Sequence, residues 1–354
     1  MLNSLLHNKI LRGVWRKIFS YYPNTINWDG HLKIINNKLN DVKDINKNIL
    51  IAPVVNSDQI LTSLHSLLGM ALKLKGAKVD CLVCDMVLPA CTNSINAKVD
   101  EIDFHDNGPK LFCNSCYDCN HASLKNVDKN YLKLGKYLNN DDYKIAKKLT
   151  DDLDYKKIID FKKNEVNIGE HVFAGTLRFY GKGELEFNEN EIKTLKKYFL
   201  SALLTQKAIE KILDNKKYDC VVVDHGLYVP QGIISEVARL RKISTKVIWQ
   251  GHKENSLLIS DKITFHKSLI SETEESWRNF NFDLEKEKKI MSYIEERSKG
   301  QSDWVSFNEN PSFDLNNFKK KYGIKNKIIS LMPSVAWDAR IKFEHNIFRN
   351  QFEW

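Results

Sequence analysis

A strand–helix–strand order occurs in two places along the chain, and this order constrains the fold more than any other feature. Residues 49–55 read Ile-Leu-Ile-Ala-Pro-Val-Val, a run typical of a buried strand. Apolar residues at helical spacing follow between Ile60 and Leu72, and Val79–Cys84 is the next apolar run. The order returns as Tyr218–Val223, Pro230–Leu240 and Thr245–Gln250. Such units build parallel sheets through right-handed crossovers, so we predict a Rossmann-like, doubly wound α/β domain.

The composition is that of an ordinary globular protein. Apolar residues make up 42% and charged residues 28% of the 354 residues, which excludes a chain that is disordered throughout. Seven cysteines are too few for a small disulfide scaffold. The net charge of +9 permits an anionic ligand. Since the basic residues form no concentrated stripe, we expect no nucleic-acid partner.

The order of elements predicts three parts of the chain. Residues 1–24 hold a basic amphipathic helix, residues 25–310 form the Rossmann-like domain, and residues 311–354 hold a linker and the beginning of a second α/β domain. The strand of that second domain is expected at Lys327–Met332. A strand and part of a helix do not bury a core alone. On this prediction the chain stops inside its second domain and is by itself inactive as an enzyme.

The predicted N-terminal helix bears on the localisation of the protein. Basic and polar residues interrupt the apolar positions of Met1–Tyr22, so the segment is not a signal peptide, and no run of about 20 apolar residues suits a membrane span. We therefore expect a cytoplasmic protein. The helix either packs on protein or lies on an anionic surface, which would make the protein peripheral to the inner membrane.

Six of the seven cysteines fall between residues 81 and 121, in what we expect to be a Cys-rich loop inserted into the domain. Thiolate pairs two residues apart can each hold one side of a tetrahedral zinc ion. The preferred ligands are Cys84, Cys91, Cys113 and Cys116, with Cys119 or His121 as a substitute. An iron–sulfur cluster is the alternative, because the spacing of Cys113, Cys116 and Cys119 matches part of a ferredoxin run. Free buried thiols are the third possibility, and Cys220 is expected to be a core residue.

Polar residues follow three of the predicted strands. They are Ser57 and Asp58 after the first strand, Asp224 and His225 after Tyr218–Val223, and His252, Lys253 and Glu254 after Thr245–Gln250. Ligands of open α/β sheets bind beyond the carboxyl ends of the strands. Either histidine can act there as a general base, with structural capping as the simpler explanation.

Arg178 lies between aromatic residues and glycines in the segment Gly175–Gly181. Its guanidinium can bind a phosphate or a carboxylate with two hydrogen bonds, and an ordinary interdomain ion pair is the simpler explanation. The chain has no P-loop, GxGxxG, HExxH, GxSxG or kinase signature. The absence of these motifs argues against the enzyme classes that they define.

Four segments carry a resemblance to known proteins. They are Ile49–Asp58, the cysteine segments Cys84–Cys91 and Cys113–Tyr117, His225–Tyr228 with Gly232, and the strand before Trp337-Asp338-Ala339. Through these segments the chain resembles bacterial capsule and surface-polysaccharide biosynthesis proteins with the GT-B glycosyltransferase architecture.

The resemblance implies transfer of a sugar from a nucleotide-sugar donor to a glycan acceptor. It implies that the Rossmann-like domain binds the acceptor and that His225 or His252, with Asp224 nearby, deprotonates its hydroxyl. Other residues would contact the substrates in the cleft between the domains, namely Arg178, Lys253, Glu254, Ser57, Asp58, Trp337 and Asp338. A polysaccharide assembly complex is an implied partner. The alternatives are a non-catalytic, zinc-stabilised scaffold module at the membrane and an iron–sulfur protein.

Overall fold

The computed structural model describes residues 28–55, 59–95, 100–261, 264, 278–303 and 314–328. The expected N-terminal helix, the site residues Ser57, Asp58, Trp337 and Asp338, and most of the Lys327–Met332 strand lie outside these residues.

A six-stranded sheet forms the centre of the described part of the chain. Its strands are β1 (Asn48–Val54), β2 (Lys78–Val83), β3 (Leu132–Lys133), β4 (Cys220–Asp224), β5 (Ser244–Gln250) and β6 (Leu257–Asp261). They lie in the order β3-β2-β1-β4-β5-β6. The first five are parallel, and β6 pairs antiparallel with β5. The predicted α/β class with a mostly parallel sheet is confirmed. The strand order reverses between β1 and β4, which opens a crevice at their carboxyl ends.

The described residues also form helices. They are α1 (Asp29–Asn40), α2 (Gln59–Leu74), α3 (Glu101–Asn107), α4 (Lys110–Leu124), α5 (Asn140–Asp152), α6 (Tyr155–Ile158), α7 (Ile168–Tyr180), α8 (Glu189–Asn215), α9 (Gln231–Leu240), α10 (Leu284–Ser298) and α11 (Leu315–Lys321). The last two, α10 and α11, bury no side chain. A 3₁₀ turn spans Leu134–Tyr137. Among the described residues, no helix combines the length and the apolar character needed to cross a membrane.

The sheet buries both of its faces, because alternate strand residues enter different cores. Leu50 belongs to the larger core with residues of α7, α8 and α9, whereas its neighbour Ile51 belongs to a second core with residues of α1, α2 and α4. The long helix α8 supplies Phe199 and many other fully buried side chains to the larger core. Burial of one such side chain stabilises a fold by about 1.5–3 kcal/mol.

Three parts of this architecture differ from the sequence prediction. The polar stretch before Asn48, where no element was predicted, contains α1, whose apolar residues Leu32, Ile35 and Leu39 form only a narrow stripe. The segment Tyr131–Leu138 has apolar residues at spacings that favour a helix, but it is a short strand followed by a 3₁₀ turn. The expected Cys-rich loop is only partly a loop, because Cys113, Cys116 and Cys119 lie on α4.

Candidate functional site

The side chain of Gln231, the first residue of α9, lies at the base of the crevice between β1 and β4. Asp224, the last residue of β4, is buried, and the Gln231 side-chain amide lies 3.4 Å from each of its carboxylate oxygens. The same amide lies 3.4 Å from the carbonyl oxygen of Pro53 on β1. These contacts tie the two strand ends together. The described contacts of Asp224 therefore support a structural role at the switch point of the sheet.

His225 follows Asp224 in the left-handed region of the backbone, with φ of 55°, and Gly226 continues the turn with φ of 68°. Such a conformation is uncommon for a residue with a Cβ atom and is held by surrounding contacts. The imidazole is half-buried, and its centroid lies 4.9 Å from the Tyr228 ring and 4.8 Å from the Trp249 ring on β5. The turn thus presents His225 at the carboxyl edge of the sheet between two aromatic rings.

Arg178 reaches the same place from α7. Its guanidinium carbon lies 4.5 Å from the centroid of the buried Tyr228 ring, within the range of a cation–π contact. Arg178, Tyr228, His225 and Trp249 therefore form a continuous row. The His225 ring is tilted by 45° to the Tyr228 ring and is nearly perpendicular, at 82°, to the Trp249 ring. We call these four residues the stacked row, by their order and not by a parallel arrangement of the rings. The structure brings two predicted site residues, Arg178 and His225, onto one aromatic ring. The aromatic partners Tyr228 and Trp249 were not predicted as site residues, although aromatic side chains beside a strand end are a usable signal.

A buried ion pair supports the loop that carries the stacked row. His171 on α7 donates its Nδ1 hydrogen to the carbonyl oxygen of Leu227, and its Nε2 lies 3.4 Å from a carboxylate oxygen of Glu236 on α9. That separation fits an ion pair rather than an aligned hydrogen bond. A Cβ atom on Gly232 would lie 2.4 Å from His171 Nδ1, so only glycine allows this approach.

The pKa values of the pair shift in opposite directions. Burial disfavours the charge on His171, but the Glu236 carboxylate outweighs this effect and raises the His171 pKa above its ordinary value. Burial likewise disfavours the charge on Glu236, yet His171 and the Asn167 backbone and amide donors lower its pKa to about 2. Each partner therefore favours the charged form of the other. The pair was not predicted, because it joins two helices that are distant in the sequence.

The second group of predicted residues lies on the hairpin between β5 and β6. His252, Lys253 and Glu254 are exposed there. Lys253 forms a β-bridge with Asp303, and its ammonium lies 5.3 Å from the Tyr293 ring of α10. The Glu254 backbone N–H donates to the carbonyl of Ser302 at 2.9 Å. These contacts join the hairpin to the segment around α10.

The four preferred cysteines line one cavity of about 20 Å³. Cys84 follows β2, Cys91 lies in the loop after it, and Cys113 and Cys116 lie three residues apart on α4. Neither suggested substitute is among the residues that line this cavity, and the exposed His121 instead places its Nδ1 2.9 Å from the Tyr131 hydroxyl. We call this space the cysteine cavity.

Polar side chains lie beside two of these sulfurs. The Ser94 hydroxyl is 3.9 Å from the Cys91 sulfur. The Asn93 side-chain amide lies 3.8 Å from the Cys116 sulfur.

Burial is the main cause of the pKa shifts of these thiols. It raises the pKa of Cys84 to about 11, that of Cys113 to about 12, and that of Cys91 above its usual value. Within the described part of the chain, no three His, Cys, Asp or Glu side chains are grouped as ligands of one metal ion. The zinc site expected from the spacing therefore stays a prediction.

The other two cysteines on the sheet have different surroundings. Cys81 packs in the second core, on the other face of β2 from Cys84, and burial raises its pKa. Cys220 on β4 packs partly buried against that same core.

Comparison with protein-family models, with curated proteins and with solved structures yields no match to this chain.

Proposed function

We propose that this chain is a glycosyltransferase-like protein of capsule or surface-polysaccharide biosynthesis, in which His225 is the base that activates a glycan acceptor. The observation that carries the proposal is the position of His225. It stands at the carboxyl edge of β4, in a strained turn, within a row of two aromatic rings and a guanidinium. Side chains that are held in an uncommon backbone conformation concentrate at functional sites.

The stacked row suits a carbohydrate hydroxyl as the reacting group. The partly exposed Trp249 offers an aromatic face to the C–H groups of a sugar ring. Because His225 Nδ1 is buried, the proposal assigns the acceptor hydroxyl to Nε2. In the proposed step Nε2 takes the hydroxyl proton, the acceptor oxygen bonds to the anomeric carbon of the donor, and the bond from that carbon to the diphosphate breaks. The nucleoside diphosphate leaves with the bonding electrons.

Arg178 and the buried ion pair have supporting roles in this proposal. The guanidinium of Arg178 fixes the Tyr228 ring and brings positive charge to a crevice that faces an anionic donor. His171 holds the carbonyl of Leu227, two residues from His225, so the base keeps one position. We assign Asp224 to the base of the crevice because Gln231 already binds it.

His225 is preferred to His252 as the base. Both follow strand ends, but His252 is exposed on the β5–β6 hairpin, whereas His225 is held between two rings. Lys253 and Glu254 remain proposed substrate contacts at the rim. Ser57, Asp58, Trp337 and Asp338 are proposed contacts outside the described residues, the last two on the donor side of a GT-B cleft.

The test replaces each histidine in the complete protein of the organism that encodes it. His225→Gln is expected to abolish the surface polysaccharide, because loss of a general base typically lowers a rate about 10²–10⁴-fold. His252→Gln is the matched control and should leave the polysaccharide unchanged. The measurement is the sugar composition of the polysaccharide in each strain, with equal amounts of protein confirmed by immunoblot. Normal synthesis with His225→Gln overturns the assignment and favours the scaffold module.

A further inference from the structure

A cavity of about 440 Å³ lies at the amino end of β5, beside the turn that follows α9. Among the residues that line it are the cations Arg239, Lys242 and Lys246, the carboxylate Asp261 and the hydroxyl residues Ser244 and Thr245. Small-molecule sites have volumes of about 300–1,000 Å³, so this cavity is large enough for an organic ligand. We call this space the basic cavity.

The basic cavity is separate from the proposed acceptor site. Ser244 begins β5, whereas Trp249 and the neighbouring His225 lie near its carboxyl end, so the two sites are at opposite edges of the sheet. Asp261 reaches the amino edge because β6 runs antiparallel to β5 and pairs this residue with Lys246. A ligand of the basic cavity is therefore not the group that His225 would activate.

Positive charge exceeds negative charge in the wall of the basic cavity. Lys246 forms an ion pair with Asp261. Lys242 is exposed and has no ion pair with the described residues. The Arg239 guanidinium lies 4.0 Å from a carboxylate oxygen of Glu236, which already belongs to the buried ion pair. Two of the three cations thus have no close carboxylate of their own, and an anion is the complementary ligand.

The turn after α9 uses the helix carbonyls that would otherwise repel an anion. Lys242 has a left-handed backbone, with φ of 58°, and its N–H donates to the carbonyl of Arg239 at 2.9 Å. The N–H of Ile243 donates to the carbonyl of Ala238 at 3.0 Å. These bonds satisfy carbonyls at the negative end of the helix dipole. The cationic side chains are therefore the dominant charges beside the cavity.

We propose that the basic cavity binds a phosphorylated sugar through its phosphate group. The planar guanidinium of Arg239 can hold two phosphate oxygens at once. The ammonium groups of Lys242 and Lys246 act as point charges that offset the second negative charge of the phosphate. A neutral ligand would leave this positive charge without a counterpart.

The other lining residues favour a sugar over a nucleotide base as the organic part. The Ser244 hydroxyl and the Asp261 carboxylate can hydrogen-bond to sugar hydroxyls. No aromatic side chain is among the described residues that line the cavity, so a base would gain no stacking there. The proposal does not depend on the assignment of His225, because the two sites share no residue.

The experiment measures binding to the purified full chain by isothermal titration calorimetry. The probes are glucose 6-phosphate and inorganic phosphate, and glucose is the uncharged control. We expect saturable binding of glucose 6-phosphate with a dissociation constant below about 1 mM, weaker binding of phosphate and none of glucose. Absence of binding by both phosphates, or equal binding of glucose and glucose 6-phosphate, overturns the proposal. Phosphate that binds as tightly as glucose 6-phosphate contradicts the assignment of the sugar.

Variants then locate the binding. Arg239→Gln and Lys242→Gln should each weaken the binding of glucose 6-phosphate about 10-fold, the loss expected for one charge-assisted hydrogen bond. Lys288→Gln on α10 is the matched control, because Lys288 is exposed and does not line the cavity. Unchanged affinity in both cavity variants, or an equal loss in the control, contradicts the location.

Asp261→Asn tests the sign of the charge. Its side chain is 68% exposed, so we expect the variant to fold. Removal of this carboxylate takes negative charge from the wall and should tighten the binding of inorganic phosphate several-fold. Weaker or unchanged binding of inorganic phosphate by Asp261→Asn would contradict an anion in this cavity.

Discussion

Replacement of the buried histidine of α2 should change how the stability of the domain depends on pH. His65 is fully buried, its Nδ1 lies 2.7 Å from the Leu61 carbonyl oxygen, and its Nε2 has no hydrogen-bond partner among the described residues. Burial disfavours the imidazolium and lowers the pKa of His65 from 6.5 to about 4, although the bond to Leu61 acts in the opposite direction. The folded protein therefore keeps this ring neutral where the unfolded chain protonates it.

The size of the effect follows from this pKa difference. One pKa unit corresponds to about 1.36 kcal/mol, so the drop from 6.5 to about 4 corresponds to about 3 kcal/mol. Because the folded pKa is the lower one, the contribution of neutral His65 to the free energy of unfolding is fully present above pH 6.5. It decreases as the pH falls and is lost below about pH 4. His65→Asn keeps a donor for the Leu61 carbonyl and removes the titration.

The assay is urea unfolding of the wild type and His65→Asn at several pH values between 7.5 and 4. The stability advantage of the wild type should shrink by about 3 kcal/mol over this range, whatever the cost of the smaller side chain. Ser66→Ala is the control, because Ser66 accepts from Trp28 at 3.0 Å and does not titrate. Its difference from the wild type should be the same at each pH. A constant difference for His65→Asn, or a His65 pKa above 6 by NMR titration, would refute the reasoning.

Three further substitutions test the supports of the two sites. Glu236→Gln removes the carboxylate that stabilises protonated His171 and accepts from Asn167, and it should destabilise the fold by about 3 kcal/mol in urea unfolding. The loss of stability should be largest between pH 4.5 and 6.5. The stabilising contribution of Glu236 decreases as the pH falls towards 2, and that of His171 decreases as the pH rises through its raised pKa. A loss that does not change with pH would contradict the proposed ion pair. Tyr198→Phe removes a buried hydroxyl and should cost about 1–3 kcal/mol, while an unchanged urea midpoint would mean that the hydroxyl does not hold the cysteine loop. Gly232→Ala brings a Cβ atom to 2.4 Å from His171 and should lower the melting temperature by several degrees, and an unaffected melting curve would exclude this close approach.

The central strands were predictable because each is buried on both faces. The runs around Leu50 and Val222 are continuously apolar, and glycines or polar residues bound them, so their positions in the sheet follow from the sequence within one or two residues. Helix α7 was not predicted. Most of its residues are buried, and it contains Gly175, where a Cβ atom would lie 2.8 Å from the Tyr198 ring. Such a helix has no polar face to reveal its period.

The candidate site was predictable only in part. The position after a parallel strand predicted His225 as a site residue, and a cation between aromatic residues and glycines predicted Arg178. Their common contact with Tyr228 depends on how α7 packs against the β4–α9 loop, which the sequence does not show. Cysteine spacing selected the four residues of the cysteine cavity. Whether these four thiols bind a metal depends on distances between their sulfurs, which the spacing in the sequence does not give.

Transfer of sugar by the purified complete protein of the organism tests the central claim most directly. Membranes from a strain that lacks the gene supply the glycan acceptor, and labelled nucleotide-sugars supply the donor. We predict incorporation of label with the wild type, a decrease of about 10²–10⁴-fold with His225→Gln, and wild-type incorporation with His252→Gln. Incorporation by His225→Gln at the wild-type rate, or none by the folded wild type with any nucleotide-sugar of the panel, would contradict the proposed function.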